Sequence, residues 1–359
     1  GAIFIKTLIV HSIRVFYLYL SHFTAKYYLS AMLHALIIFF SLFQSDLLRK
    51  DSLRTFHVNG TAQGTTYHCT YNSDSNHITK KQVDDLLASI DSSLSLYKNY
   101  SRISQFNQHP RGILMDAHMK TVVEKAIEIS AITNGTFDIT CKPIIELWKT
   151  AAANRQQPKP SNIRKLMKTI GFQHVSIKGD SLIKDNPAVQ IDCDGIAQGY
   201  SVDQIARLLK ESKINDFIVE LGGEVFASGH PPGKTCWEVA IHTSSDQIFE
   251  TADPVIRLSN AAVTTSGSMN KYIQSGKKTF SHVVHPRKGK PIRHKIISVT
   301  VIANDAITAD ALDNALMVMG VEKAMKWLIN HPIAAVQIDY RQGENKSMQK
   351  SNLAFKKLL

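Results

Sequence analysis

The chain has 359 residues, 44% hydrophobic and 20% charged, which suits a folded globular protein and excludes collagen-like, low-complexity and broadly disordered classes. Its net charge of +12 favours an anionic ligand, an anionic membrane surface or nucleic acid; with no RRM signature, zinc-finger spacing or arginine-rich run, nucleic acid ranks last. Cys69, Cys141, Cys193 and Cys236 lie far apart, and without a CxxC pair they argue against a zinc ribbon or thioredoxin-type motif.

In chain order, LIVHSIRVFYLYL (8–20) and AMLHALIIFFSLF (31–43) are apolar runs flanked by Lys6, Arg14, Lys26, Arg49 and Lys50. Neither reaches the roughly 20 clean residues of a strong spanning helix. The second has the length of a signal-peptide apolar region. Residues 1–50 therefore read as a signal or membrane-anchor segment, with translated upstream sequence as the competing reading, and 51–359 as the folded domain. FHVNGTAQGTTYHCTYNS reads as two strands around a Gly turn. Residues 80–97 and 119–133 have apolar positions at helical spacing, the second helix stopped by Asn134 and Gly135. FDITCKPIIELW is a loop entering a short helix, and 151–162 is a polar, Pro-containing surface loop. NIRKLMKTIG is a helix ended by Gly171, and HVSIKGDSLIKD a pair of short strands. AVQID is a short strand-like run. It leads through DCDGIAQGYSVD (192–203) into the helical pattern YSVDQIARLLKES. The strands DFIVELGGEVFASG, WEVAIHTS, PVIRLSNAAVTTSG, KTFSHVVHP and KIISVTVIAN follow. DAITADALDNALMVMG and EKAMKWLINHP are helices, and IAAVQIDY is the closing strand. Strands and helices alternate without a βαβ repeat. The expected class is α+β, with mixed, largely antiparallel sheets and packed helices.

DCDGIAQGYSVD carries the most information. The N–H groups and dipole of a helix N-terminus favour an anion. Asp192 and Asp194 beside such a site call for a cation between them and a phosphate. On this stretch alone the structural reading, in which the glycines only permit tight packing, ranks ahead. Asp310 and Asn314 in ADALDNAL stand four apart and share one helix face. Two oxygen donors plus a backbone carbonyl suit a hard cation.

Eight segments occur in order: GTAQGTTY (60–67), SLYKNYSRISQFNQ (95–108), GTFDITCKPIIELW (135–148), DCDGIAQGYSVD, ELGGEVFASG (220–229), TTSGSMNKY (264–272), SHVVHPRKGKPI (281–292) and SVTVIANDAITADALDNALMVMG (298–320). Together they resemble the ApbE-type FAD:protein FMN transferases, over about Gly60 to Gly320. The resemblance implies a T-fold-like family fold with an FAD cleft between lobes. It also implies an exported, Mg2+-dependent enzyme on the periplasmic side of the bacterial inner membrane. Such an enzyme splits FAD and joins FMN to a Thr or Ser hydroxyl of an acceptor protein, releasing AMP. The implied acceptor is a subunit of a membrane redox complex such as an NADH:quinone reductase.

Residue by residue, the resemblance implies that Gly195 (through its carbonyl), Asp310 and Asn314 hold the metal, Asn314 standing where Thr is usual. It implies that His282 is the acid/base, with His285 replacing the usual Asp or Asn. It implies flavin-nucleotide contacts at Gln63 (usually Met), Tyr97, Thr136, Phe137, Asp138, Asp192, Gln198 (more often Lys or Glu) and Val284. Thr264, Thr265, Ser266 and Gly267 offer donors to a phosphate, and Gly222 and Gly223 read as a backbone device. Asp194 carries no assignment. Two further readings keep the site but change its use: FAD hydrolysis to FMN and AMP, and flavin binding without turnover.

Overall fold

The structure is a computed structural model that describes residue 34 and residues 53–241, 255–267, 272–275, 278–281, 283–293, 296–343 and 347–359. It divides into two units, residues 1–54 and 55–359. Of the first unit only His34, Leu53 and Arg54 are described, so the signal or anchor reading of 1–50 falls outside the described residues, as does His282. Among the described residues no helix is long and apolar enough to cross a membrane.

The second unit opens with β1 (Arg54–Ala62) and β2 (Thr65–Ser73). Between them Gln63 and Gly64 both adopt positive φ, 53° and 76°, as a two-residue turn matching the twist of paired strands requires. Helix α1 (Lys80–Leu94) is opened by a capping box of Thr79 and Gln82 and buries Val83, Leu87, Ile90 and Leu94 at helical spacing. It ends at Leu94 rather than Tyr97: Ser95 is extended, and its carbonyl accepts from the Ser101 hydroxyl at 2.6 Å. Next come α2 (Arg102–Gln108), β3 (Gly112–Leu114) and α3 (Ala117–Ile132). The first two of these were not foreseen; seven- and three-residue elements are too short to show a period.

Helix α4 (Lys142–Ala153) runs into the stretch read as loop, because Ala151, Ala152 and Ala153 are good helix formers. Pro160 then begins α5 (Pro160–Leu166), where its missing N–H costs nothing. Strands β4 (Val175–Lys178) and β5 (Ser181–Lys184) pair as predicted and recruit β3. AVQID is a correction: it forms no strand. Its backbone is instead held by one side chain, Asn107, which donates to the Ile191 carbonyl at 2.9 Å and accepts the Ile191 N–H at 2.7 Å. Helix α6 (Ala197–Glu211) follows directly.

The remaining chain builds β6 (Phe217–Leu221), β7 (Glu224–Ser228), β8 (Trp237–Ala240), β9 (Val255–Leu258), β10 (Ala261–Gly267), β11 (Tyr272–Ser275), β12 (Lys278–Ser281), β13 (Val284–His285), β14 (Lys290–Pro291) and β15 (Ile296–Ala303). Helices α7 (Ala306–Met319) and α8 (Val321–Asn330) come next, then β16 (Ala335–Arg341), β17 (Ser347–Ser351) and a terminal turn, α9 (Leu353–Lys356). The main sheet has eight strands in the order β1-β2-β6-β7-β10-β15-β16-β17. The described registers are antiparallel, giving the expected mixed helix and antiparallel-sheet fold. Beyond IAAVQIDY, β17 pairs with β16 and forms the edge.

Side chains on these strands alternate between two cores, as a period of two dictates. Phe226, Ala262, Val301 and Val336 join the large core with α6 and α7. Their neighbours Val225, Val263, Ile302 and Ala335 join a second core under Trp237, Ile256, Leu258 and Phe355. A third, smaller core of Cys141, Ile144, Trp148, Ile163, Ile170 and Val284 ties α4 and α5 to β13.

Helices α6 and α7 pack against each other at Gly199. A Cβ at this position would lie 2.3 Å from the Ala306 carbonyl oxygen and 2.8 Å from Asp310 Cβ. Backbone cannot yield to such an overlap. We expect Gly199→Ala to destabilise the protein by roughly 1–3 kcal/mol despite the better helix propensity of alanine. Urea unfolding of the two proteins checks this; equal midpoints would show that the helices separate without cost.

Candidate functional site

The N-terminus of α6 faces α7 through three contacts. Asp203 accepts the Ala306 N–H at 2.8 Å and the Ile307 N–H at 2.9 Å, so an acid on one helix caps the start of the other. The Gly199 N–H donates to Asp310 Oδ2 at 3.0 Å. Asn314 Nδ2 lies 3.0 Å from the Asp310 carbonyl, 3.4 Å from Asp310 Oδ1 and 3.4 Å from the Gly195 carbonyl. The spacing of four on α7 and the tight turn before α6 therefore bring Gly195, Asp310 and Asn314 together. Phe137 adjoins them: its Cε2 would stand 3.6 Å from a Cβ at Gly195.

These acids are buried. Burial, then the charges of Asp203 and Asp194, push the Asp310 carboxyl up to about 7, against the pull of the Gly199 N–H. Asp203 is also pushed up to about 7, by burial foremost, although the Ala306 and Ile307 N–H groups lower it. Burial and the Asp310 charge hold Asp313 well above the usual carboxylate range, and its Oδ1 is buried without a hydrogen-bond partner. Among the described residues, no lysine or arginine is among the groups that shift Asp310 or Asp313. A buried acid cluster of this kind holds protons or takes a cation. The oxygens are hard donors, as Mg2+ requires. Turning the Asn314 amide by half a rotation would offer its oxygen in place of nitrogen. The residues present thus fit a hard divalent cation.

Beside this cluster lies a cavity of about 590 Å³, lined by Gln63, Gly64, Leu96, Tyr97, Lys98, Asp194, Ala197 and Gln198, with Ile90 and Leu94 at its base. Gln63 reaches it from the strained turn, its amide bonded to Ser201 at 2.8 Å. Tyr97 is 87% exposed. Gln198 packs near Gly222, where a Cβ would meet its Nε2 at 2.9 Å. Gly222 and Gly223 take φ of 65° and 110° in the β6–β7 turn, a backbone device in fact.

The other expected contacts are engaged by the protein's own groups. Asp138 spends both oxygens on protein donors: Thr140 N at 2.8 Å, Thr140 Oγ1 at 2.6 Å and Phe172 N at 2.7 Å. The Thr136 hydroxyl donates to the Thr133 carbonyl at 3.1 Å. Asp192 accepts the Asp194 N–H at 2.8 Å, shaping the loop. Burial and the Asp194 charge push it up to about 6, while Lys149 and Lys142 pull it down. Val284 is buried in the third core. Thr264 is buried in β10, with Thr265 and Ser266 half-buried. Asp194, left unassigned in the sequence, lines the cavity with its side chain while the next residue turns its carbonyl to Asn314.

Comparison with known proteins adds to this geometry. The family model described as "ApbE family" matches residues 63–337. The chain belongs to the ApbE family. It is 30% identical over 319 residues to the FAD:protein FMN transferase of Haemophilus influenzae, covering 85% of this chain and 92% of that protein. To the Escherichia coli K12 protein of the same description it is 32% identical over 274 residues, covering 74% and 78%. Among ApbE structures, the apo flavinyl transferase of Pseudomonas stutzeri superposes with a TM-score of 0.77 at 31% identity, covering 85% of this chain and 97% of that one. The flavin transferase ApbE of Vibrio cholerae does so with a TM-score of 0.75 at 28% identity, covering 86% and 100%.

Two outcomes are expected of this ApbE site. Mg2+ should raise the thermal midpoint of the protein, and Asp310→Ala should abolish that increment; a variant that keeps it would remove Asp310 from the cation site. The second concerns pH in the presence of chelator. Asp203 binds its proton up to about 7 when folded, above an ordinary carboxyl near 3.9. Its contribution to stability is complete below the lower value and is lost as pH rises through the upper one. Urea midpoints should therefore fall between pH 4 and 7, less steeply in Asp203→Asn, which cannot ionise; an unchanged slope would contradict the assignment.

Proposed function

We propose that this protein is an FAD:protein FMN transferase, moving FMN from FAD to a Thr or Ser hydroxyl of an acceptor protein and releasing AMP. One observation carries the reading: an oxygen-donor cluster of Gly195, Asp310 and Asn314 beside a cavity rimmed by Gln63, Tyr97 and Gln198, in a chain of the ApbE family. Relatives that this chain covers over most of their length are described as FAD:protein FMN transferases.

In this reading the acceptor oxygen attacks the phosphorus on the FMN side of the diphosphate. The bond from that phosphorus to the oxygen bridging to AMP breaks, and AMP leaves with the electron pair. Bound Mg2+ supplies neutralisation of the diphosphate charge. Tyr97 offers its exposed face to a ring, and Gln63 and Gln198 offer amides at the cavity wall. Asp138, Thr136 and Asp192 shape the segments flanking Phe137 and Gly195. His282, assigned from the SHVVHPRKG segment, takes the proton of the acceptor hydroxyl. We assign residues 51–359 to the transferase domain and 1–50 to a signal or inner-membrane anchor. The site then works on the periplasmic side, with a subunit of an NADH:quinone reductase-like membrane complex as acceptor. Both apolar runs and their basic flanks support that placement.

Incubation of a candidate acceptor with the protein, FAD and Mg2+ should add to the acceptor the mass of FMN less one water and release one AMP per transfer. His282→Ala should slow the transfer by about 100-fold or more. AMP release with no mass gain would make the protein an FAD hydrolase. Tight FAD binding with no AMP release would make it a flavin carrier.

A further inference from the structure

The positive charge of the domain is gathered in one place. Residues 142–168 carry seven Lys or Arg against a single acid, Glu146, and residues 287–293 carry four against none. The rest of 51–359 holds 26 Lys or Arg against 28 Asp or Glu. The two basic segments are one body in space. Trp148 Nε1 donates to the Gly289 carbonyl at 3.0 Å, joining α4 to the β13–β14 turn. Gly289 packs so closely on α5 that a Cβ there would meet Met167 Sδ at 2.5 Å and Ile163 Cγ2 at 3.0 Å. The third core lies inside, and Arg164, Lys165, Lys168, Arg287, Lys288 and Lys290 stand exposed outside. Glu146, the only acid, is taken by Lys142. A solubilising surface intersperses both signs of charge. Here one sign is concentrated while the remainder is nearly neutral.

We infer that this lobe binds an anionic lipid surface. Ten unit charges exceed what one diphosphate requires, so a nucleotide does not account for them. Between them Ile145, Leu147, Leu166 and Met167 are only partly buried. Lysine and arginine around apolar side chains that keep part of their surface in water match the headgroup and acyl boundary of an anionic bilayer. The apolar, basic-flanked runs at 8–20 and 31–43 belong to the same chain. Arg287 also borders the site: its Cγ and Cδ stand 3.9 Å from where a Cβ would lie on Gly135, next to Thr136. Lipid contact through this lobe brings the cleft to the bilayer.

The test is vesicle co-sedimentation of the full chain and of residues 53–359, which include the whole second unit and all three cores. Vesicles of phosphatidylcholine with 30% phosphatidylglycerol should bind residues 53–359 at 0.1 M salt and release them at 0.5 M, while pure phosphatidylcholine should not bind them. A variant carrying Arg164→Gln, Lys165→Gln, Lys168→Gln and Lys288→Gln should lose partitioning on the order of a hundredfold. A control carrying Lys178→Gln, Lys323→Gln, Lys326→Gln and Lys356→Gln should bind within about threefold of the parent, with both variants keeping the parent's unfolding midpoint. In the full chain the preference for anionic over neutral vesicles should disappear in the lobe variant alone. Equal loss in the two variants, or no preference for anionic vesicles in the parent, would overturn the inference. So would a lobe variant that still binds vesicles but no longer captures an acidic acceptor protein, which would give the lobe to protein recognition.

Discussion

The close approach of α6 and α7 at Gly199 is the constraint on which the site rests. With no side chain at this position, the Ala306 carbonyl comes within the space a methyl group would occupy. Asp203 then reaches the first N–H groups of α7, and Asp310 reaches back to the Gly199 N–H. Each helix satisfies groups that the other leaves unpaired at its N-terminus. Rotation or sliding of either helix breaks several of these bonds together. The Gly195 carbonyl, two residues before α6, is thereby held within reach of Asn314 on α7.

The price of this arrangement is electrostatic. Asp203, Asp310 and Asp313 are buried near one another, and burial raises all three. Helix-terminal N–H groups offset part of that cost for Asp203 and Asp310 but leave Asp313 with an unpartnered oxygen. Of the basic residues, Lys210 lowers Asp203. An acid-lined site of this kind repels a diphosphate by itself. A hard cation bound there would reverse that sign locally.

Much of this was legible in the sequence. ADALDNAL announced its pair by spacing, because residues four apart must share a helix face. Gly195 was legible only in company: no pattern says which carbonyl a turn will point where. Gln63, Tyr97 and Gln198 meet at the cavity from the β1–β2 turn, the end of α1 and the start of α6. Such convergence is a product of topology, which periodicity does not encode. Asp138 and Asp192 carry structural bonds that their motif does not announce: Asp138 accepts from Thr140 and Phe172, and one oxygen of Asp192 accepts from its own loop. AVQID was mistaken for a strand because extended apolar backbone needs only some partner for its polar groups, and here Asn107 supplies both bonds.

Tyr97 separates folding from function within the cleft. Its ring is 87% exposed, while Ile90 and Leu94 in the last turns of α1 are buried at 1% and 4%. A ring so placed gives the folded chain little, since burial is what stabilises an aromatic side chain. Helix α1 ends just before it, so the ring stands on a segment fixed by the Ser101 bond to Ser95 rather than by packing. Gln63 is held the same way, by a strained turn and by its amide's two contacts with the Ser201 hydroxyl. The cavity rim is thus positioned by the backbone and left open, and stacking of a flat ligand on Tyr97 would bury area that folding leaves in water. The wall formed by Asp310 and Asp313 is buried in the core, and the wall formed by Tyr97 stands in solvent.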